Sequence, residues 1–154
     1  MKLEAILAKN AVFADMQARD RKQALKQLAA NASDICGLSE REVYTVLMER
    51  EGRGSTCMGG GVCIPHGRID GLAHCTALFA KLDTPIAYDA PDGKPVDLIF
   101  MLLTPANANT EHLKSLALIS KLLRNKSLCE DLRKATDASV LYALIDSASR
   151  EDAA

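Results

Sequence analysis

Tryptophan is absent from this 154-residue chain, which holds only three tyrosines and three phenylalanines. So few rings leave little surface for stacking nucleobases or sugars. Charge of one sign is lacking too: 19 lysines and arginines stand against 20 aspartates and glutamates, a formal net charge of −1. That balance offers no global pull on nucleic acid or on an anionic membrane, so no nucleic-acid partner is expected. No apolar run is long enough to cross a bilayer. The longest, Leu98 to Leu103, is strand-sized, and no membrane insertion is expected. The opening residues Met1 to Leu7 lack the apolar stretch and cleavage site of a signal peptide. Cysteines number five, at 36, 57, 63, 75 and 129, without a C-x-x-C pair. Their odd count predicts reduced thiols in a cytoplasmic protein. No repeat, low-complexity tract or linker divides the chain, which predicts one domain over residues 1–148 and a frayed tail over 149–154.

What is present is concentrated between Gly54 and Gly67, in the run GSTCMGGGVCIPHG. Small residues and three consecutive glycines precede a short apolar segment, which ends on a histidine between a proline and a glycine. Glycine lets backbone N–H groups approach an anion closely, and a histidine so placed can offer one ring nitrogen to a large partner. The chemistry this suggests is phosphoryl acceptance on the His66 imidazole.

Periodicity organises the rest. Ala24, Leu25, Leu28, Ala32 and Ile35 recur at helical spacing and Gly37 ends the segment. Ser39 and Glu42 form a capping box for a second helix, whose inward face carries Val43, Val46 and Leu47. Residues 11–13, 62–65, 76–82 and 96–103 read as strands, the last apolar enough to be covered on both faces. Pro91-Asp92-Gly93 marks a turn. Helical spacing returns over 110–124. Ser127 to Glu130 reads as another capping box, and Asp137 as the cap of a final helix through Ala148. Helices at both ends around central strands predict a single-domain α/β sandwich, a mixed β-sheet flanked by helices.

Several side chains have chemistry to weigh. Arg50 extends the inward face of its helix four residues before the glycine loop. It serves either the helix dipole or an anion held beyond the last turn. His112 falls in the first turn of a later helix, where the positive dipole end favours a neutral ring; it is either a satisfied structural histidine or a partner of His66. Cys63 and His66 have metal-like spacing and His74-Cys75 follows, but no second pair completes a site, and Cys63 on a strand points away from His66. No cysteine sits at an evident nucleophile turn. Gly52-x-Gly54-Ser55-Thr56 lacks the lysine of a P-loop.

The pattern Arg50-Glu51-x-x-Gly54-Ser55-Thr56, followed by Gly59-x-Gly61-Val62-x-Ile64-Pro65-His66-Gly67, resembles the phosphorylation motif of enzyme IIA domains. These are the mannitol/fructose class of the bacterial phosphoenolpyruvate:sugar phosphotransferase system. Residues 84–90 (TPIAYDA), 95–100 (PVDLIF) and Glu111-His112-Leu113 match especially the nitrogen-regulatory branch, so that the resemblance spans roughly residues 1–148. It implies that His66 is phosphorylated by an HPr-like carrier (NPr), charged in turn by an enzyme I and phosphoenolpyruvate. It also sets Arg50 and His112 beside the phosphoryl group, with phosphotransferase-type activity through a transient phosphohistidine. Arg50 then offers a planar fork to the phosphate. Ser55, Thr56 and the amides of Gly59, Gly60 and Gly61 are the neutral phosphate-binding donors. No cofactor or metal is needed, since donor and acceptor are both histidines. Regulated targets such as sensor kinases or ion transporters follow from the family alone. Two other readings stay open: a sugar-transport IIA that passes phosphate to a IIB protein, and a metal-binding module built on Cys63, His66, His74 and Cys75. Cys63 departs from the family, which usually has alanine there; an inert buried thiol is expected.

Overall fold

The computed structural model describes residues 2–153. Strand β1 (Val12–Met16) follows two short 3-10 turns. Helix α1 (Arg21–Cys36) begins where the Asp20 carboxylate accepts the Gln23 N–H at 2.9 Å. It ends at Gly37, whose φ of 70° closes the last turn. Helix α2 (Glu40–Gly52) starts as its capping residue predicts, with Ser39 Oγ accepting the Glu42 N–H at 3.2 Å. Short strands β2 (Cys57–Gly59), β3 (Val62–Cys63) and β4 (His66–Ile69) come next, followed by the long strands β5 (Thr76–Ile86) and β6 (Val96–Pro105). Helices α3 (Asn109–Leu123), α4 (Lys126–Lys134) and α5 (Ala138–Ala153) complete the order.

The sheet is mixed, in the order β1-β5-β6-β3-β2, with β4 also beside β6. β5 and β6 are antiparallel neighbours; β1 runs parallel to β5, and β3 and β4 both run parallel to β6. β6 is nearly all buried, because α1 and α2 form one layer of helices and α3, α4 and α5 another. The edge Phe79–Phe100 pair, 5.5 Å between ring centroids, fills the middle.

β3 and β4 amount to one strand broken at Ile64-Pro65. β3 registers with Leu98 and Ile99 of β6, β4 with Leu102 to Pro105, and Leu102 N–H donates to the Pro65 carbonyl across the gap. The run expected as a strand over 62–65 therefore stops at Cys63, and His66 opens the next strand instead of ending this one. α2 packs onto β4 at Gly67. A Cβ there would lie 2.2 Å from Val46 Cγ1, so only glycine permits this approach.

Three expectations need revision. Cys57 and Cys63 are joined as a disulfide, so the five cysteines are not all thiols; Cys36, Cys75 and Cys129 are free. The physical cause is register: the two residues face one another across the β2–β3 hairpin. The cap of α4 is Asn125, whose Oδ1 accepts the Leu128 N–H at 3.1 Å, two residues before the predicted Ser127. Asp137 opens α5, accepting the Ser139 N–H at 2.8 Å, but the helix runs on past Ala148 to Ala153 across most of the segment read as a tail. Ser149 there is buried; residue 154 lies outside the described residues.

Candidate functional site

The broken strand creates the environment of His66. Ile64 gives its N–H to the Thr56 carbonyl at 3.0 Å, and its own carbonyl meets His66 Nδ1 at 2.7 Å. A carbonyl can only accept, so Nδ1 carries the proton and Nε2 keeps the lone pair. Burial holds the imidazole pKa below its ordinary value. Arg50 and Arg53 push the same way, against the Ile64 hydrogen bond and Glu51. A half-buried neutral ring with one fixed tautomer results.

His112 stands close by, its ring centroid 5.8 Å from that of His66 and tilted by 54°. It lies in the first turn of α3, as its spacing predicted, and its Nδ1 shares a 2.8 Å hydrogen bond with the hydroxyl of Thr104. Thr104 is fully buried near the end of β6. Burial lowers the His112 pKa, the charge of Arg68 lowers it further, and so would a proton on His66. Both rings are thus kept neutral by the same cause.

Three guanidinium groups surround the pair. Arg50, in the last turn of α2, donates Nη1–H to the Gly54 carbonyl at 2.9 Å, which fixes its direction and leaves four N–H donors. Arg53 follows it. Arg68 lies two residues after His66 on β4, hence on the same face, and reaches the Ala106 carbonyl at 3.3 Å. Among the described residues none of the three is ion-paired. Arg50 stands apart from its own helix's buried carboxylate, because Glu51 is occupied by Thr56: it accepts both the Thr56 N–H, at 3.3 Å, and the Thr56 hydroxyl.

Not every residue expected around a phosphate comes to this place. Thr56 is buried and its two donors serve Glu51. Ser55 is exposed, its hydroxyl accepting the Cys57 N–H at 3.1 Å and keeping its own proton to give. The glycines form the tight turn of the β2–β3 hairpin, with φ of 93°, 65° and 83° at Gly59, Gly60 and Gly61. Gly60 N–H donates to Asp92 at 2.9 Å and its carbonyl accepts from Arg133 at 2.6 Å, while the Gly61 carbonyl accepts the N–H groups of Asp97 and Leu98. Arg133 in turn grips Asp97 through contacts of 2.9 to 3.1 Å. An anion at the turn would meet the Asp92 carboxylate, so the turn's bonds hold the hairpin to the body. Thr104 and Arg68 were not anticipated from sequence, and Glu51 stood in the motif without a role; Arg68 was discoverable from its two-residue offset, once His66 is on a strand.

No group of three or more His, Cys, Asp or Glu side chains among the described residues is gathered closely enough for a metal ion. Cys63, one of the four ligands considered, has its sulfur committed to Cys57. Nor is any described helix long and apolar enough to cross a membrane.

The mixed sheet between two layers of helices is shared with solved phosphotransferase IIA structures. The structure superposes on nitrogen regulatory protein IIA-Ntr from Neisseria meningitidis with a TM-score of 0.85 and 37% identity, covering 91% of this chain and 96% of that one. Mannitol IIA from Escherichia coli shares the fold at a TM-score of 0.76 and 16% identity, over 90% and 97% of the two chains. A nitrogen regulatory protein of Bradyrhizobium diazoefficiens is 42% identical over 145 residues, 94% of this chain and 95% of its own length. Residues 5–148 match the family described as phosphoenolpyruvate-dependent sugar phosphotransferase system, EIIA 2, and the chain belongs to that family. Within that family its likeness is greatest to proteins named nitrogen regulatory, among those compared above.

Proposed function

We propose that His66 takes a phosphoryl group from an HPr-like phosphocarrier such as NPr, and that its phosphorylation state governs which regulatory partners this chain binds in the cytoplasm. One observation carries the first half: two neutral histidines with touching environments, ringed by three guanidinium groups that no carboxylate neutralises. Such a place is incomplete without an anion. In transfer, the Nε2 lone pair of His66 attacks phosphorus in line, the phosphorus–nitrogen bond of the donor phosphohistidine breaks, and the electron pair returns to the donor ring. Arg50 supports the equatorial oxygens as their charge spreads, Arg68 and His112 stand on the far side, and Ser55 adds a neutral donor. The Ile64 carbonyl holds the positive charge that attack places on the ring by keeping Nδ1–H bonded.

The regulatory half is supported by relatives named nitrogen regulatory proteins at 34% to 42% identity. A doubly charged group appearing on a surface rich in arginine changes which interfaces form. Incubation with phosphoenolpyruvate, an enzyme I and an HPr-like carrier tests the acceptor role. One acid-labile phosphoryl group on His66 is expected by intact and tandem mass measurement, and labelling elsewhere or none overturns it. A pull-down comparing both states tests regulation: identical partner sets reject it, and rapid onward transfer to a purified IIB protein replaces it with sugar transport.

A further inference from the structure

Two sulfur atoms stand in the hairpin that leads into His66. Cys57 of β2 and Cys63 of β3 are register partners, and their sulfurs are bonded. The neighbours of these two residues build the support of the His66 ring. Thr56, beside Cys57, accepts the Ile64 N–H; Ile64, beside Cys63, accepts from His66 Nδ1. The cross-link therefore pins the two chain segments that set the ring's tautomer and direction. It closes a sequence separation of only 6, at the short end where a cross-link adds least to folding stability. β2 has three residues and β3 two, so the ladder between them is short, and the bonds to Asp92 and Arg133 that anchor the hairpin lie at its turn. Cys57 is half-buried whereas Cys63 is buried, so an incoming thiolate meets Cys57 first. Phosphoryl transfer uses neither sulfur.

We propose that Cys57 and Cys63 form a reversible redox-modification site for dithiol reductants and glutathione-type disulfides, whose bonded form holds His66 ready to accept phosphate. The second clause rests on His66 being the acceptor. In reduction, a thiolate of the external dithiol attacks Cys57 Sγ and forms a mixed disulfide. The Cys57–Cys63 bond breaks, and Cys63 leaves as a thiolate that takes up a proton. The second thiol of the reductant loses its proton and attacks its own bonded sulfur, releasing Cys57 as a thiolate that is protonated in turn. Two electrons and two protons have passed to the protein, and the reductant is left as a disulfide. Oxidation reverses this, with a glutathione disulfide taking the two electrons and leaving as two thiols. In a compartment that keeps thiols reduced such a pair is bonded only transiently, which suits a signal and not a staple.

The full chain is equilibrated with dithiothreitol or with oxidised glutathione, beside Cys57→Ser and the double variant Cys57→Ala/Cys63→Ala. Alkylation with intact mass reads the bond, hydrogen exchange reads the amides of residues 59–67, and labelling through the HPr-like carrier reads acceptance. The wild type is expected to gain and lose two alkylatable thiols. Loosening of the His66 support on reduction is expected to slow acceptance at least about threefold. Exchange over 59–67 should quicken alongside it, and both variants should behave like the reduced form in either buffer. Two freely alkylated sulfurs under oxidised glutathione overturn the site. Where both states accept phosphate, equal rates overturn its coupling to His66. If neither state accepts phosphate, the acceptor role fails instead, and an exchange difference between the two states still upholds the redox site.

Discussion

The glycine turn and the histidine at opposite ends of the segment 59–66 are held by contrasting electrostatics. At the turn Arg133 pairs with Asp97 and donates to the Gly60 carbonyl, and Asp92 accepts the Gly60 N–H. Around His66 the cations outnumber their partners, and the one buried carboxylate, Glu51, is spent on Thr56. Satisfied charge makes a joint; unsatisfied charge of one sign makes a vacancy for the opposite sign. The glycines, which in the sequence read as a cradle for phosphate, belong to the joint.

The contrast can be broken most sharply at His66. His66→Ala is expected to abolish phosphoryl labelling while leaving the melting temperature nearly unchanged, and persistent labelling in the purified variant would place the acceptor elsewhere. Arg50→Ala comes next. Loss of a charged donor to the transferring group is expected to slow acceptance about 100-fold with the fold intact, and normal single-turnover rates would remove Arg50 from the reaction. At the other end the same kind of substitution should do the reverse. Arg133→Ala strands the Asp97 carboxylate, which is 18% exposed, and is expected to lower unfolding free energy by about 1–3 kcal/mol. Labelling per folded molecule should change little, and urea titrations paired with labelling rates check both halves. A rate loss as large as that of Arg50→Ala would mean that joint and site are one unit after all.

The smallest effect expected is on pH dependence. Acceptance needs a neutral His66, and burial, aided by Arg50 and Arg53, holds its pKa below the ordinary imidazole value. Acceptance should therefore persist as pH falls through the usual histidine range and decline only on further acidification. In Arg50→Ala one of the depressing charges is gone, so the decline should begin at higher pH. A midpoint that stays put would remove Arg50 from the causes of the depression.

What was legible in the chain followed from local rules. Ser39 and Asp137 cap helices because short polar side chains satisfy the first free N–H groups wherever they occur. Ser127 misled because Asn125, two residues earlier, competes for the same office at the start of α4. The apolar run of β6 declared its burial. The pairing of β2, β3 and β4 was hidden, because strands of two to four residues are too short for periodicity: β3 and β4 exist by registering with distant β6, and β2 by pairing with β3. The disulfide was hidden for a related reason. A regular two-residue turn at Gly60-Gly61 would set Met58 opposite Cys63, but the register shifts between Cys57 and Gly59, and the irregularity brings Cys57 into that place. His66, Arg50 and His112 could be nominated from sequence. That Thr104 steadies one ring, and Ile64 the other, required the register.

One missing side chain governs the width of the site. Val46 Cγ1 occupies the space where a Cβ at residue 67 would stand, at 2.2 Å against an ordinary contact of 3.4–4 Å. Because valine is stiff about its only χ angle, the helix as a whole would have to retreat to restore that contact. Arg50 rides on that helix and His66 on the adjoining strand. Gly67 thus acts as a gauge block between them, and a single methyl group would work as a shim that carries the guanidinium out of reach of the oxygens it is set to meet.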